Sequence, residues 1–575
     1  MTANQLDSCF NALDNAETDE DILVALTILP RVLDPTDASN VKRAFSHIPW
    51  KFIHRMMISP ITDGLMQTIA VRIWTCFCTE EFSKKSKLLK RIKPASKLLR
   101  SSLDLEIKIL IMRSLIDLLQ ESVAIEFYDS EVLENVGSQA TVISELFLHF
   151  AQSAILVMEP GLFVSPLSLL LYSDSKFKFR SIPILIALFA NPNLNLGIVN
   201  KGLPILKSSI KSILASKLPK EITEQVLVLI SIISTHFKDF IHPNTFTELD
   251  ISMQDMGVGE KKSLSDTQLL LMCTHLIGAE ARVILDSTTE DLQKDELETL
   301  PLFYSFLENI ITFLVSDECK LEESLLKSIQ KALFETFISI AAFLSDRWDS
   351  QDIKVLDNMA TMYSIKTYSY FTAEESSVST EEVTRLVPLV VFLLENKLES
   401  LNEDPLDVLD GILNIITADP LILEEFNSLD GYIPLIDNFV DGKCNTRNAI
   451  GILMNFVVSS NLTLLSVDPL AKLQNRLEEL VKQANDLPFM SMIVLTYLFV
   501  SRSSQKLSGT SVPIDEIVEY ICKRNQIHDE SAELWYLCVS GKFILTTALC
   551  EMSNFALNAC QKEKLKKLQG NLLLT

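Results

Sequence analysis

Glycine is scarce in this chain, at 15 of 575 residues, against an average usage of about 7%. A fold made of many tight β-turns is thereby disfavoured, and no run of alternating apolar and polar residues is long enough to demand a sheet. The glycine-rich phosphate loops are missing in both common forms, Gly-x-x-x-x-Gly-Lys-Ser/Thr and Gly-x-Gly-x-x-Gly. His-Glu-x-x-His and the Gly-x-Ser-x-Gly elbow of hydrolases are missing too, and the seven histidines lie far apart. The ten cysteines follow no framework spacing. Several, such as Cys273, Cys538 and Cys550, sit in apolar stretches and read as reduced core residues of a cytoplasmic or nuclear protein. These absences point to a protein that is not an enzyme and holds no cofactor or metal.

Long uncharged runs are also lacking. Ser181 to Asn200 approaches membrane-spanning length, but Pro183 and Asn191-Pro192-Asn193 break it, and Phe489 to Val500 is too short. Met1 to Asp21 is polar and acidic, without the basic and apolar succession of a signal peptide. No transmembrane segment is expected.

What is present is apolar material in quantity: 48% hydrophobic residues beside 22% charged. A single core stops growing near roughly 250 to 300 residues, so the chain must divide into domains or form a stack. Its formal net charge is −24, which makes nucleic acid an unlikely ligand. The charge is uneven. Residues 1–100 hold 14 Lys/Arg against 11 Asp/Glu, and the remainder holds 37 against 64.

Periodicity supplies the architecture. Between Leu103 and Glu121, Leu103, Ile107, Leu110, Ile111, Leu115 and Leu118 form one apolar stripe, and Ile109, Met112, Ile116 and Leu119 form a second. Only Glu106, Arg113, Asp117 and Gln120 remain for water. A helix buried on two sides belongs inside a layered stack. Helix starts carry matching chemistry: Asp34-Pro35, Asp404-Pro405, and the pairs Ser265 with Gln268 and Ser379 with Glu382. The expected fold is all-α, an extended α-solenoid of degenerate armadillo/HEAT-like repeats of roughly 40 to 47 residues. Residues 1–243 would form an N-terminal half with a basic segment at 84–100, 244–265 a loop or hinge, and 266–575 a C-terminal half.

The strongest surface feature is that basic segment. Lys84, Lys85, Lys87, Lys90, Arg91, Lys93, Lys97 and Arg100 surround Leu88, Leu89, Ile92, Leu98 and Leu99, with Pro94 expected to divide the run into two helices. The pattern predicts one cationic face and one buried face. That cationic face is a candidate docking site for an acidic protein segment, an anionic lipid surface in peripheral contact, or RNA. No aromatic residues interleave as a nucleic-acid stacking platform requires. Cys76-Phe77-Cys78 lacks a second ligand pair for zinc, so Cys76 and Cys78 are assigned to structure. Glu280 and Arg282 lie in an apolar helix and point in different directions, each toward an expected partner on a neighbouring helix. Trp535 is expected in the core.

Four segments carry a family resemblance: Ala70-Val71 leading to Cys76-Phe77-Cys78, Ala279-Glu280-Ala281-Arg282-Val283, Met454-Asn455-Phe456-Val457-Val458, and Glu533-Leu534-Trp535-Tyr536-Leu537. In this order they resemble the neurochondrin family. The resemblance implies an armadillo-like cytosolic adaptor and transfers no catalytic residue. The function expected is therefore a protein–protein interaction scaffold or adaptor that binds one or more proteins. The alternative is a dedicated assembly chaperone or regulatory subunit of a larger enzyme complex.

Overall fold

The computed structural model describes residues 2–500, apart from 34–36, 60–63, 80, 122–129, 156–157, 244–263, 288–293, 351–355, 375–379, 397–402, 442–445, 461–466, 484–491, 494–495 and 498–499. All regular structure among the described residues is helical. The chain divides into two compact units, Met1–Cys273 and Thr274–Thr575.

Unit 1 opens with α1 (Thr2–Asp14), α2 (Asp19–Val32), α3 (Ala38–His47), α4 (Trp50–Ile58) and α5 (Leu65–Thr75). It continues through α6 (Ser86–Leu89), α7 (Ile92–Leu98), α8 (Leu105–Glu121), α9 (Ser130–Gly137) and α10 (Ser144–Ala154). Then come α11 (Val164–Tyr172), α12 (Ser181–Phe189), α13 (Leu196–Val199), α14 (Leu203–Leu214) and α15 (Lys220–His236). Two layers result. In one, α2, α5, α8, α10, α12 and α15 pack each on the next; in the other, α4, α7, α9, α11 and α14 do the same. The first layer's helices begin at residues 19, 65, 105, 144, 181 and 220, intervals of 46, 40, 39, 37 and 39. A repeat period invisible as sequence identity is thus plain in the spacing of the helices, as expected of units specified mainly by apolar pattern.

Helix α8 shows why the layers hold. Ile107, Ile111, Met112, Leu115, Ile116, Leu118 and Leu119 are buried, while Glu106, Arg113 and Asp117 stay exposed. The two stripes meet α5 and α10 in the same layer and α7 in the other. At about 25 cal/mol per Å² of apolar surface, burial on several sides is the main term favouring this placement. Caps fix where helices begin. Thr18 and Asp21 close a capping box on α2, and the Asp19, Glu20 and Asp21 carboxylates in its first turn complement the helix dipole.

The uncharged stretch Ser181–Asn200 forms the nine-residue helix α12 and then turns at Asn191, whose side chain accepts from the Asn193 backbone N–H at 2.9 Å. One described helix, Asp266–Ser287 (α16), is long and apolar enough to cross a membrane. Its start is nonetheless tied into unit 1 by charge. Lys207, its side chain only 4% exposed, donates through Nζ to the Asp266 carboxylate at 3.0 Å and to the His242 carbonyl at 2.8 Å, and Lys211 reaches the other Asp266 oxygen at 3.0 Å. Ser265 and Gln268 cap the same end reciprocally, at 3.1 and 2.9 Å. The division between the units falls within this helix, at Cys273/Thr274. Most of the expected hinge, 244–263, lies outside the described residues, as do the cap candidates Asp34-Pro35 and Ser379.

Unit 2 contains the rest of α16, then α17 (Lys294–Val315), α18 (Glu323–Asp349), α19 (Met359–Glu374), α20 (Thr380–Glu395) and α21 (Pro405–Val408). It ends, among the described residues, with α22 (Asp410–Ala418), α23 (Pro420–Ser428), α24 (Tyr432–Asp441), α25 (Thr446–Ser459) and α26 (Val467–Gln483). Again two rows form: α17 on α19 on α22 on α25, and α18 on α20 on α24 on α26. Phe337 and Phe371 stack with ring centroids 4.0 Å apart, and the buried Tyr304 hydroxyl meets Ser364 Oγ at 2.8 Å. Asp404 caps α21 ahead of Pro405, which occupies a first-turn position where its missing N–H has no intrahelical role. Helix α19 runs through the buried Thr372 to Glu374.

Helices α19 and α22 approach so closely that a Cβ on Gly411 would lie 1.8 Å from the Ser369 carbonyl oxygen. Gly411→Ala should therefore destabilise unit 2 by about 2 kcal/mol, in the range of core overpacking, read as a lower denaturant midpoint. A second expectation concerns Asp266. Burial opposes its ionisation, but Lys207 and Lys211 outweigh that and hold its carboxyl below the usual carboxylate range. The depressed value means that this stabilisation is full above a pH of about 4, the unfolded carboxylate pKa, and fades as pH falls through the folded one. Lys207→Met should cost about 3 kcal/mol at pH 7, and the gap from wild type should narrow toward pH 3 in chemical denaturation.

Candidate functional site

The basic segment lies between α5 and α8, on a base of aromatic rings. Phe45 of α3, Trp50 of α4, and Phe77 and Phe82 after α5 form one cluster: Phe45 is 4.9 Å from Trp50, 5.5 Å from Phe77 and 4.6 Å from Phe82, centroid to centroid. All four are buried. Trp74 Nε1 donates to the Leu88 carbonyl at 3.3 Å and Trp50 Nε1 to the Phe45 carbonyl at 3.1 Å. These rings anchor residues 81–91 through area burial and edge-to-face contact.

On this base the eight cations separate into three groups. Lys84, Lys85, Lys87 and Lys90 are exposed and make no ion pair among the described residues. Lys93 and Lys97 both reach Glu131 at the start of α9, at 2.9 and 2.8 Å, and Arg100 meets Glu134 at 3.6 Å. The Lys97 and Lys93 hydrogen bonds hold the Glu131 carboxyl below its usual range. Arg91 is not on the cationic face at all. It is 7% exposed, donates to the Lys87 carbonyl at 2.5 Å and to the Trp50 carbonyl, and lies 5.6 Å from the Trp50 ring centroid. Burial pulls the Arg91 pKa down, and the guanidinium, after desolvation, helps keep His54 below its ordinary pKa. The correction has a legible cause. Leu88, Arg91, Ile92 and Ala95 follow three-four spacing, so Arg91 occupies an apolar position of the stripe.

Pro94 does not divide the run. The break falls at Lys90–Arg91, and Pro94 sits in the first turn of α7, where the backbone N–H it lacks would find no intrahelical acceptor. Cys76 and Cys78 lie beyond the end of α5 rather than on a helix. Their thiols donate to the carbonyls of Arg72 and Trp74, at 3.1 and 3.4 Å, and burial raises both pKa values. Among the described residues no group of His, Cys, Asp and Glu is arranged to hold a metal. Arg282 of α16 pairs with Glu335 of α18 at 3.3 Å, and Glu280 is half-buried on the same helix. Trp535 lies outside the described residues.

Sequence reading missed a second basic segment. Between α11 and α12, Lys176, Lys178 and Arg180 alternate with Phe177 and Phe179, and each cation stands over a ring at 4.8, 5.0 and 5.6 Å from its centroid. The rings are half-buried and Arg180 lies 3.8 Å from Glu145. The alternation itself was the available signal.

The neurochondrin family model matches residues 1–121 and 177–414. The chain belongs to the neurochondrin family. Of the four segments that carried the resemblance, those at 70–78 and 279–283 fall within the matched residues, and those at 454–458 and 533–537 fall beyond them. The exposed lysines of this neurochondrin-family chain are inside the match, whereas Glu131 and Glu134 are in the unmatched interval. No curated protein matches the chain significantly. Similar solved structures include Kap121p bound to Ste12p, at 14% identity and TM-score 0.29 over 100% of this chain and 54% of that one. Another is a homology model of the full-length AP-3 complex, at 11% identity and TM-score 0.28 over 99% and 93%. The chain spans about half the length of the Kap121p chain in the first of these (54%).

Arg91→Leu should lower the stability of unit 1 by about 2 kcal/mol or more, because it removes two hydrogen bonds to backbone carbonyls, that of Trp50 in a buried place, and the stacking on Trp50. Lys84→Ala should change it by less than about 0.5 kcal/mol. Thermal unfolding of the two variants side by side checks the division of the segment.

Proposed function

We propose that this neurochondrin-family chain is a non-catalytic protein-interaction scaffold that docks an acidic segment of a partner on the lysine edge formed by Lys84, Lys85, Lys87 and Lys90. The observation that carries the reading is the pairing of exposure with rigidity. Four exposed lysines stand on a segment held by Trp50, Trp74, Phe77 and Phe82, in a chain whose net charge is −24. A cationic edge on an acidic molecule steers an acidic ligand to one place, and a pre-ordered backbone loses little entropy on binding. Stacked repeats supply broad surface without an enclosed site, which suits such a role. The buried thiols of Cys78 and Cys273 support a reducing compartment, cytosol or nucleus.

The test is the fourfold variant Lys84→Glu, Lys85→Glu, Lys87→Glu, Lys90→Glu, with Arg91 untouched. Its melting curve should match wild type, and proteins recovered from native extract with wild type at low salt should be lost from the variant. An unchanged set of partners would remove the lysine edge from consideration. Recovery of one stoichiometric client, rather than several, would favour the assembly-chaperone alternative.

A further inference from the structure

Helix α2 carries two apolar stripes, as α8 does, but only one of them is covered. Leu26 and Leu29 are buried, at 0% and 1% exposure, whereas Val24 and Ile28 stand 62% and 47% exposed. Beside them Ser8, Cys9 and Ala12 of α1 and Ala25 of α2 complete a groove of about 790 Å³ along the α1/α2 hairpin. The buried stripe of α1 is engaged elsewhere: Phe10 stacks on His47 of α3 at 4.8 Å. The stripe continues from Val24 to the half-buried Val32, about 12 Å at 1.5 Å per residue, and on the α1 wall the small side chains of Ser8, Cys9 and Ala12 stand beside Gln5.

The mouth of the groove is acidic. Glu17 and Asp21 line it, and no Lys or Arg does among the described residues; Thr18 donates to Asp21 and holds that carboxyl below its usual range. We propose that this groove binds an amphipathic helix of a partner protein, with apolar residues at three-four spacing facing Val24 and Ile28, and with lysine or arginine set against Glu17 and Asp21. About two turns of helix fit the stripe, which is the usual helix-in-groove mode. An anionic membrane would be repelled by the same carboxylates, and a second copy would bring an identical acidic mouth. The inference rests on the protein-binding reading above, but it uses a surface separate from the lysine edge.

The experiment follows fluorescence anisotropy of a labelled peptide of about fourteen residues, with Leu at i, i+3, i+4, i+7 and i+11 and Lys on the opposite face, titrated with the full chain. Saturable binding is expected, weakened at least tenfold by Ile28→Asp and by Ala12→Trp, which fills the groove from α1 and leaves the residues of α2 unchanged. Two control peptides decide the chemistry: one with the same composition but scrambled Leu positions, and one with Glu for Lys. Equal binding of either control, or no effect of both variants, would overturn the proposal. A dimer in light scattering that Ile28→Asp dissolves would overturn it in favour of self-association. The fourfold lysine variant should bind the peptide like wild type, so failure of the lysine edge and failure of the groove are read separately.

Discussion

A helix with apolar residues on two sides cannot finish its own burial with one partner. α8 places Ile111, Met112, Leu115 and Leu118 where a single hairpin would leave several of them wet, and each such residue gains about 1.5 to 3 kcal/mol only when fully covered. The layers of unit 1 follow from that requirement, since α5 supplies one cover, α10 another and α7 a third. Every helix added to satisfy its predecessor brings a stripe of its own. The same need makes α2 informative, because there the second stripe stands open.

Charge enters this apolar arrangement at a few places, and in each it fixes position. Lys207, Lys211 and Asp266 set the start of α16 against α14. Arg91 ties the chain after α6 to the Trp50 carbonyl across forty-one residues. Buried ionic groups contribute little net stability when intact and cost much when one partner is lost. Surface pairs such as Lys93–Glu131 differ, being worth at most about 1 kcal/mol, yet they decide which lysines of the basic segment carry a neutralising partner.

Much of the fold was legible in the residues. The double stripe of α8, the Ser265/Gln268 box and the Asp404-Pro405 start are local signals, read within one or two turns and found where expected. The candidate site was legible only in part. That a cationic run begins at Lys84 needs no structure; that Glu131 and Glu134 fold over its far end does, because those carboxylates are more than thirty residues away. Pro94 misled because a proline in the first turn of a helix and one between helices look alike in one dimension.

By itself the sequence determined an all-helical stack, a polarity of charge along it and the absence of nucleotide and zinc signatures, since periodicity and motif are properties of neighbouring residues. Tertiary structure alone decided the repeat spacing of 37 to 46 residues in the first layer, the removal of Arg91 from the surface and the open groove beside Ile28. Each of these depends on which distant helix covers a given stripe. Coverage is a contest among all the apolar faces of the chain at once, and no local pattern records its outcome.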